Sequence, residues 1–380
     1  MIEVEELDRL IARRLASLDY CYQCGRCTAV CPASLTGPFR PRKVMLAAQT
    51  EPARLLESDL IWECTTCNAC VRVCPQEVKP PEVIVSLRSR RVESGCLPRG
   101  VTDALENIYR RRNPWGSPRS ERAAWAEGLP LRPFAPGMEW LWFVGCSPSY
   151  DPRNQAVARA LVRIFVRTGL EVGFLGGEER CCGEPARRLG EEGLFQFLAE
   201  ENSGQFSGLG ARKILTTCPH SYHAFKNEYP AIKSEVWHYT QLLAELIRDR
   251  RLALADPAEE LTVTYHDPCY LGRHNGVYDE PRSVLGAIPG VELVELPRHR
   301  ERSLCCGGGG GRTWVSLKEK ERASELRVRE ALGTGARMLI TACPFCTCHL
   351  DEAVKTLNVE AQIEVLDLAE LVASRLGPGL

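Results

Sequence analysis

The chain has no uninterrupted apolar stretch near the ~18 residues that a membrane-crossing helix needs, so no segment is expected to span a bilayer. It has almost no charge imbalance. The formal net charge of −1 argues against a nucleic-acid binder. The segment Met1 to Leu18 is acidic and amphipathic, so no signal peptide is expected there. No Ser-His-Asp set or paired carboxylates stand out, which makes hydrolysis an unpromising reading. No GxGxxG fingerprint joins a strand to a helix, so a flavin or quinone would sit on another subunit. The remaining composition, 44% hydrophobic and 26% charged over 380 residues, is that of a globular chain of about two or three domains. The expected location is the cytoplasm, with any membrane attachment supplied by a partner. Two basic runs, Arg88 to Arg91 and Arg110 to Arg112, read as solvated surface or as a docking face for an acidic partner.

What the chain has in quantity is cysteine, 19 residues in all. Most stand at metal-ligand spacing rather than as a disulfide framework. One run is Cys21-x-x-Cys24-x-x-Cys27-x-x-x-Cys31-Pro32 and another is Cys64-x-x-Cys67-x-x-Cys70-x-x-x-Cys74-Pro75. This is the bacterial two-cluster ferredoxin pattern, in which three thiolates hold one cubane and the fourth reaches the other. Cluster one is therefore assigned to Cys21, Cys24, Cys27 and Cys74. Cluster two is assigned to Cys64, Cys67, Cys70 and Cys31. Structural zinc would need two well-separated Cys pairs instead. Two [4Fe–4S] cubanes imply a protein that moves electrons.

The expected fold class is α+β and multidomain: an α-helical ferredoxin-like domain over residues 1–98, then two tandem α/β modules. Within the first part, helices are expected around Arg42 to Gln49, around Ala53 to Leu60, and from Pro80-Pro81 through Arg91. Residues 99–137 hold five prolines, with Pro98 just before them, and read as a linker wrapping the surface, with one short helix near Val101 to Arg111. The modules are expected at 138–258 and 259–380. In the first, a strand leads to Cys146, an amphipathic helix follows, then Cys181-Cys182-Gly183 and a strand ending in Cys218. In the second, strands end at Cys269 and Cys343, with Cys305-Cys306-Gly307 between. Cys146, Cys181 and Cys218 thus recur as Cys269, Cys305 and Cys343, at offsets of 123, 124 and 125 residues. That regularity marks a tandem repeat. The cysteines follow strand carboxyl ends, where open α/β sheets place ligands.

Five cysteines converge in the second copy: Cys269, Cys305, Cys306, Cys343 and Cys346. The glycines from Gly307 to Gly311 lack the Lys-Ser/Thr ending of a phosphate loop and read as close backbone packing around a large inorganic cofactor. The first copy offers Cys146, Cys181, Cys182 and Cys218, with Ser221 at the position of Cys346. A hydroxyl is a poorer iron ligand than a thiolate. The first site is read as a different cluster, a labile one, none, or a decayed site kept as a structural partner.

The order of these landmarks resembles the D-type subunit of heterodisulfide reductase, which looks like the C-type and B-type subunits joined end to end. LIWECTTCNACVRVCPQEVKP, from Leu60 to Pro80, is similar to the C-type subunit. CCGEPARRLGEE from Cys181, YHDPCYLGRHNGVYDEPR from Tyr265, CCGGGGGRTW from Cys305 and ACPFC ending at Cys346 resemble a branch of the Cys-Cys-Gly family. That branch comprises iron–sulfur oxidoreductases associated with electron-transfer flavoproteins and related anaerobic complexes. The resemblance implies a noncubane [4Fe–4S] cluster on Cys269, Cys305, Cys306, Cys343 and Cys346, able to cleave a disulfide and capture its thiols. It implies partners of the flavoprotein, membrane-cytochrome or quinone-reactive kind. The departure at Ser221 favours an electron-transfer or quinone-linked role over disulfide reduction.

Cys96 and Cys348 remain, the first read as a buried small residue and the second as a neighbour of a ligand. His220, His223, His266 and His349 stand beside ligand cysteines. His266 is a candidate to donate a hydrogen bond to a cluster. Asp267 reads as a helix cap. The functional expectation is an electron-relaying iron–sulfur subunit of a larger redox complex. The alternative is a thiol–disulfide oxidoreductase acting at the second module, and a third is a structural or metal-sensing iron–sulfur protein.

Overall fold

The computed structural model describes residues 4–230, 232–256, 259–315 and 321–377. The repeat boundary expected at residue 258 lies outside the described residues. The N-terminal part is helical, with its longer helices at Val4–Leu15, Pro41–Thr50, Pro80–Glu93 and Arg99–Arg111. Proline opens two of these, where its missing N–H costs nothing and its fixed φ suits the first turn. The helix expected over Ala53 to Leu60 is divided. Pro52–Leu56 is followed by a 3₁₀ turn, Asp59–Glu63, because Ser58 Oγ accepts the Leu60 N–H (3.2 Å) and starts a new element.

Two expectations fail here. The run Arg88 to Arg91 is not a solvated face: Arg88 is 0% exposed and Ser89 is also buried. The helix Pro80–Glu93 has apolar residues around most of its girth and packs on several sides. The segment 99–137 is also more than a surface linker. Its helix Arg99–Arg111 buries Val101, Ala104, Leu105 and Ile108 in the same cluster as Cys181, Ala186 and Leu189. Trp125 packs edge-on against Trp142 at 5.6 Å. Apolar residues placed between the prolines decide burial, whatever turns the prolines impose.

The remainder forms two parallel sheets. Strands β1 (Arg132–Pro133), β2 (Trp140–Phe143), β3 (Val172–Phe174), β4 (Lys213–Thr216) and β5 (Glu235–His238) take the order β1-β3-β2-β4-β5. Strands β6 (Leu261–Tyr265), β7 (Val291–Leu293), β8 (Met338–Thr341) and β9 (Glu364–Asp367) take the order β7-β6-β8-β9. Apart from the added β1, the two orders are the same. Each sheet has its switch point between its first and third repeat strands. Cys146 and Cys218 follow β2 and β4, and Cys269 and Cys343 follow β6 and β8. All four cysteines therefore stand at the crevice where such sheets bind ligands.

The two modules meet across a pseudo-two-fold. The helix Pro152–Thr168, which follows β2, packs on Leu368–Ser374, which follows β9. Reciprocally, Tyr239–Arg248 after β5 packs on Asp279–Gly286 after β6. One continuous core results, running from Trp142, Leu161 and Phe165 to Val263, Leu285 and Val372. Near its centre Tyr239 Oη donates to Asp367 Oδ1 (2.6 Å), with both residues 0% exposed. Asp367 also caps its helix by accepting the Ala369 N–H, while Oδ2 has no partner. Burial pushes this carboxyl up to about 7, reinforced by nearby Glu370 and opposed by the Tyr239 hydroxyl and by Arg153.

The folded carboxyl thus keeps its proton to about pH 7, whereas an unfolded one releases it near pH ~4. Stability is expected to fall as pH rises through that window, by up to about 4 kcal/mol, and to level off above it. Asp367→Asn should flatten that slope in denaturant titrations at pH 4.5, 6 and 7.5. An unchanged slope would show that the carboxyl is ionised in the fold.

Candidate metal centres

Among the described residues every cysteine is a free thiol. Cys21, Cys24, Cys27 and Cys74 line one small cavity with Gly25, Arg42 and Pro75. Cys24 is exposed and the other three are half-buried. Cys31 turns instead toward Cys64 and Cys67, and Cys70 lies within electrostatic reach of Cys64, Cys67 and Cys31. Cys74 thus lies with the thiols of the first run, and Cys31 lies near those of the second. Burial pushes the Cys31 thiol up to about 12 and Cys64 up to about 11. Such thiols ionise only with a cation or metal at hand.

The five cysteines of the second module are all buried. Cys269 Sγ lies 3.9 Å from Cys305 Sγ, and Cys346 Sγ lies 3.4 Å from Cys306 Sγ. Cys343 shares a hydrogen bond with Cys346. Two further contacts cross domain boundaries: Cys305 with Cys67, and Cys343 with Cys218 of the first module. A chain of thiols therefore runs Cys67, Cys305, Cys306, Cys346, Cys343, Cys218. Cys306 accepts hydrogen bonds from Cys305 and Cys346, and these hold it below the ordinary thiol range. In both copies the glycine after Cys-Cys is left-handed, with φ +75° at Gly183 and +92° at Gly307. Each donates its N–H to the first cysteine's Sγ at 3.4 Å, a turn that a β-carbon would strain.

In the first module Cys146, Cys181, Cys182, Cys218 and Ser221 line one cavity, so Ser221 occupies the fifth position in space as well as in sequence. A hydrogen bond from Cys181 and the Arg122 guanidinium hold Cys146 down to about 7. Arg122 donates to Cys146 Sγ (3.4 Å) and pairs with Glu179 (2.6 Å). Glu179 in turn accepts the N–H groups of Val144 and Gly145. Arg122 and Glu179 are functional neighbours that motif reading missed, because neither belongs to a cysteine run.

His266 is fully buried, and Nδ1 accepts from Arg327 Nε (3.0 Å). Arginine only donates, so the neutral imidazole carries its proton on Nε2. That nitrogen has no hydrogen-bond partner, and a ring nitrogen of His266 lies within 4.8 Å of the Cys306 and Cys346 sulfurs. Burial, then Arg327, holds this imidazole down to about 3. Asp267 is no helix cap. Its oxygens take both Arg282 Nη groups (2.7 and 3.0 Å) and the Arg300 N–H, because residues 268–278 form turns rather than a helix. Cys96 is exposed, not buried, since it follows the helix end at Gly95. Cys348 points away from the five thiols, with its sulfur 2.9 Å from Asn154 Nδ2. His349 meets Thr313 Oγ1 at 3.1 Å, and His220 stacks on Phe345 at 5.0 Å. His223 lies against Asn227 and His274.

The glycine run also packs closely on protein. A β-carbon at Gly310 would stand 2.6 Å from Cys64 O, and one at Gly309 would stand 2.9 Å from Thr65 O. The loop presses on the backbone of the second ferredoxin motif. This contact brings Cys67 against Cys305.

Thiols clustered in two ferredoxin runs and two repeated modules define an iron–sulfur protein. The 4Fe-4S dicluster domain matches residues 17–78, and the Cysteine-rich domain matches twice, at 140–226 and 263–351. EtfAB:quinone oxidoreductase of Syntrophomonas wolfei is 35% identical, over 97% of this chain and 60% of its own length. The D-type subunit of the dihydromethanophenazine:CoB--CoM heterodisulfide reductase of Methanosarcina barkeri is 32% identical, over 97% of this chain and 96% of its own length. The chain belongs to the heterodisulfide reductase D-type family of iron–sulfur proteins. It spans 60% of the length of the quinone oxidoreductase relative. A hypothetical protein from Helicobacter pylori shares the fold, with a TM-score of 0.56 at 9% identity over 100% of this chain and 74% of that one. Among the described residues no helix is long and apolar enough to cross a membrane.

Gly310→Ala is expected to lower the unfolding temperature of the full chain well beyond Gly276→Ala. Both positions are left-handed, but nothing lies within 4 Å of a β-carbon at Gly276. The excess should reflect about 1–3 kcal/mol of overpacking. Equal losses would show that the loop yields freely.

Proposed function

We propose that the chain is the electron-relaying iron–sulfur subunit of a larger redox complex. Cys21, Cys24, Cys27 and Cys74 would hold one cubane, and Cys64, Cys67, Cys70 and Cys31 the other. Cys269, Cys305, Cys306, Cys343 and Cys346 would hold a noncubane [4Fe–4S] cluster. When bound, these clusters supply one-electron transfer. The observation that carries the reading is the packing of Cys67 in one buried cluster with Cys269, Cys305, Cys306, Cys343 and Cys346, which joins the ferredoxin part to the second module.

The chain's own residues divide the work by exposure. Cys24 reaches solvent beside Tyr22 (58% exposed) and the exposed Arg26, and this face suits a partner's docking. Cys64, Cys67 and Cys70 are buried and face inward. The partner is read as a flavoprotein, a membrane cytochrome or a quinone-reactive subunit, in keeping with the name of the Syntrophomonas relative. The name of the Methanosarcina relative favours a second reading, a reductase of small organic disulfides at the second module. That reaction breaks one S–S bond and adds two electrons and two protons to give two thiols. His266 Nε2–H would polarise sulfur there.

Anaerobically reduced protein should be reoxidised by a flavoprotein or a quinone under the first reading, and by a heterodisulfide under the second. Oxidation by none of the three defeats both. Cys305→Ser or Cys306→Ser should remove the paramagnetic signal of the second module and keep both cubane signals. Loss of the cubane signals would contradict the ligand sets. Ser221→Cys should raise iron per chain, since four thiols already line that cavity. An unchanged ratio would mark it as structural.

A further inference from the structure

Five arginines among the described residues are buried: Arg14, Arg88, Arg122, Arg273 and Arg327. Three are paired with carboxylates, Arg14 with Glu192 (3.0 Å), Arg122 with Glu179 (2.6 Å) and Arg327 with Glu330 (2.8 Å). Arg88 and Arg273 have no carboxylate within ion-pair distance among the described residues. An unpaired buried charge is destabilising by several kcal/mol. Both exceptions lie against the second ferredoxin motif. Arg88 donates to Cys64 O (2.8 Å), Ile61 O (2.7 Å), Arg188 O (2.7 Å) and Gly310 O (2.7 Å), all neutral carbonyls. Arg273 donates through Nε to Cys67 O (2.7 Å) and through Nη1 to Ser303 O (2.5 Å), while its buried Nη2 has no partner. Sulfurs lead the groups that favour the charge on both guanidiniums. Cys64 acts on Arg88, and Cys67, Cys269 and Cys305 act on Arg273.

We propose that Arg88 and Arg273 are the built-in counter-ions of the iron–sulfur group on Cys64, Cys67, Cys70 and Cys31, and hold its reduction potential up. This rests on the cluster reading above. Reduction adds one negative charge to that group, and a fixed cation in a low-dielectric site stabilises the reduced form. Arg88 acts on this group alone. Arg273 sits between it and the second module and acts on both. Each is a positioning residue that works through the field it sets up. A purely structural role is the competing account, because Arg88 also joins three parts of the chain. Lysine separates the two: it keeps the charge and loses the planar fork.

The test uses the full chain, loaded anaerobically with iron and sulfide and titrated with dithionite while its paramagnetic signals are followed. The two cubane signals are assigned by their loss in Cys24→Ser and Cys70→Ser. In Arg88→Gln the group on Cys64, Cys67, Cys70 and Cys31 should become harder to reduce by about tenfold or more, a fall of about 59 mV per tenfold for one electron. The Cys24 group should not move, and Arg88→Lys should stay near the parent. Arg273→Gln should shift both the buried cubane and the second-module signal, and it carries the test if Arg88→Gln does not fold. Equal shifts in the lysine and glutamine variants, or none in either, would overturn the proposal while leaving the clusters in place. A parent chain that takes up no acid-labile sulfide would overturn the cluster reading and the proposal with it.

Discussion

The close approach of the Gly309 and Gly310 backbone to residues Cys64 and Thr65 is the contact on which the remaining geometry depends. No side chain fits between the two segments. The loop is held at its ends by chemistry that differs on each side. Gly307 turns left-handed so that its N–H reaches Cys305 Sγ, and Gly310 offers its carbonyl to Arg88. Once these strands of backbone touch, Cys67 has nowhere to face but Cys305. The position of the ferredoxin part on the second module thus follows from the absence of β-carbons more than from any attractive pair.

The repeat explains the rest of the arrangement and also its asymmetry. Two modules of the same strand order bury their helices reciprocally, and this brings Cys218 to Cys343. The buried arginine–carboxylate pairs of the two copies differ in origin. In the first, Arg122 comes from the proline-rich segment and pairs with Glu179. In the second, Arg282 lies within the repeat and pairs with Asp267, while Arg273 faces the sulfurs without a carboxylate. The caps diverge as well, with His238 in one copy and Asp367 in the other at the same structural position. Duplication preserved the topology, and the chemistry of each crevice was set by residues outside the shared motif.

That division marks what could be read in advance. Cysteine spacing is local, so the two ferredoxin runs and the repeat landmarks were legible in the order of cysteines. Strand ends were legible because the apolar runs stop at Cys146, Cys218, Cys269 and Cys343. The burial of Arg88 was not, because its acceptors are backbone carbonyls of residues 61, 64, 188 and 310, which carry no signature in side-chain sequence. Asp267 misled for a related reason. Asp before Pro resembles a helix start, and only the fold reveals that Arg282 and the Arg300 N–H claim its oxygens first. The glycine run was correctly read as close packing, but its partner lies some 240 residues earlier in the chain and no local pattern could name it.

The two functional readings need the same wiring and differ only at its end. The thiols from Cys67 to Cys218 form one unbroken series through the second module to the first. A relay uses such a series to hand charge onward. A reductase stops it at a substrate and must supply protons there. Each module holds a group set against sulfur, Arg122 at Cys146 in the first and His266 near Cys306 and Cys346 in the second. Both side chains are buried and have their tautomer or charge fixed by a neighbour, Arg327 for the imidazole and Glu179 for the guanidinium. Groups fixed in this way steady a charge on sulfur and do not readily give up a proton. That property weighs toward relay, and it agrees with the hydroxyl of Ser221 where a fifth thiol would complete the first site.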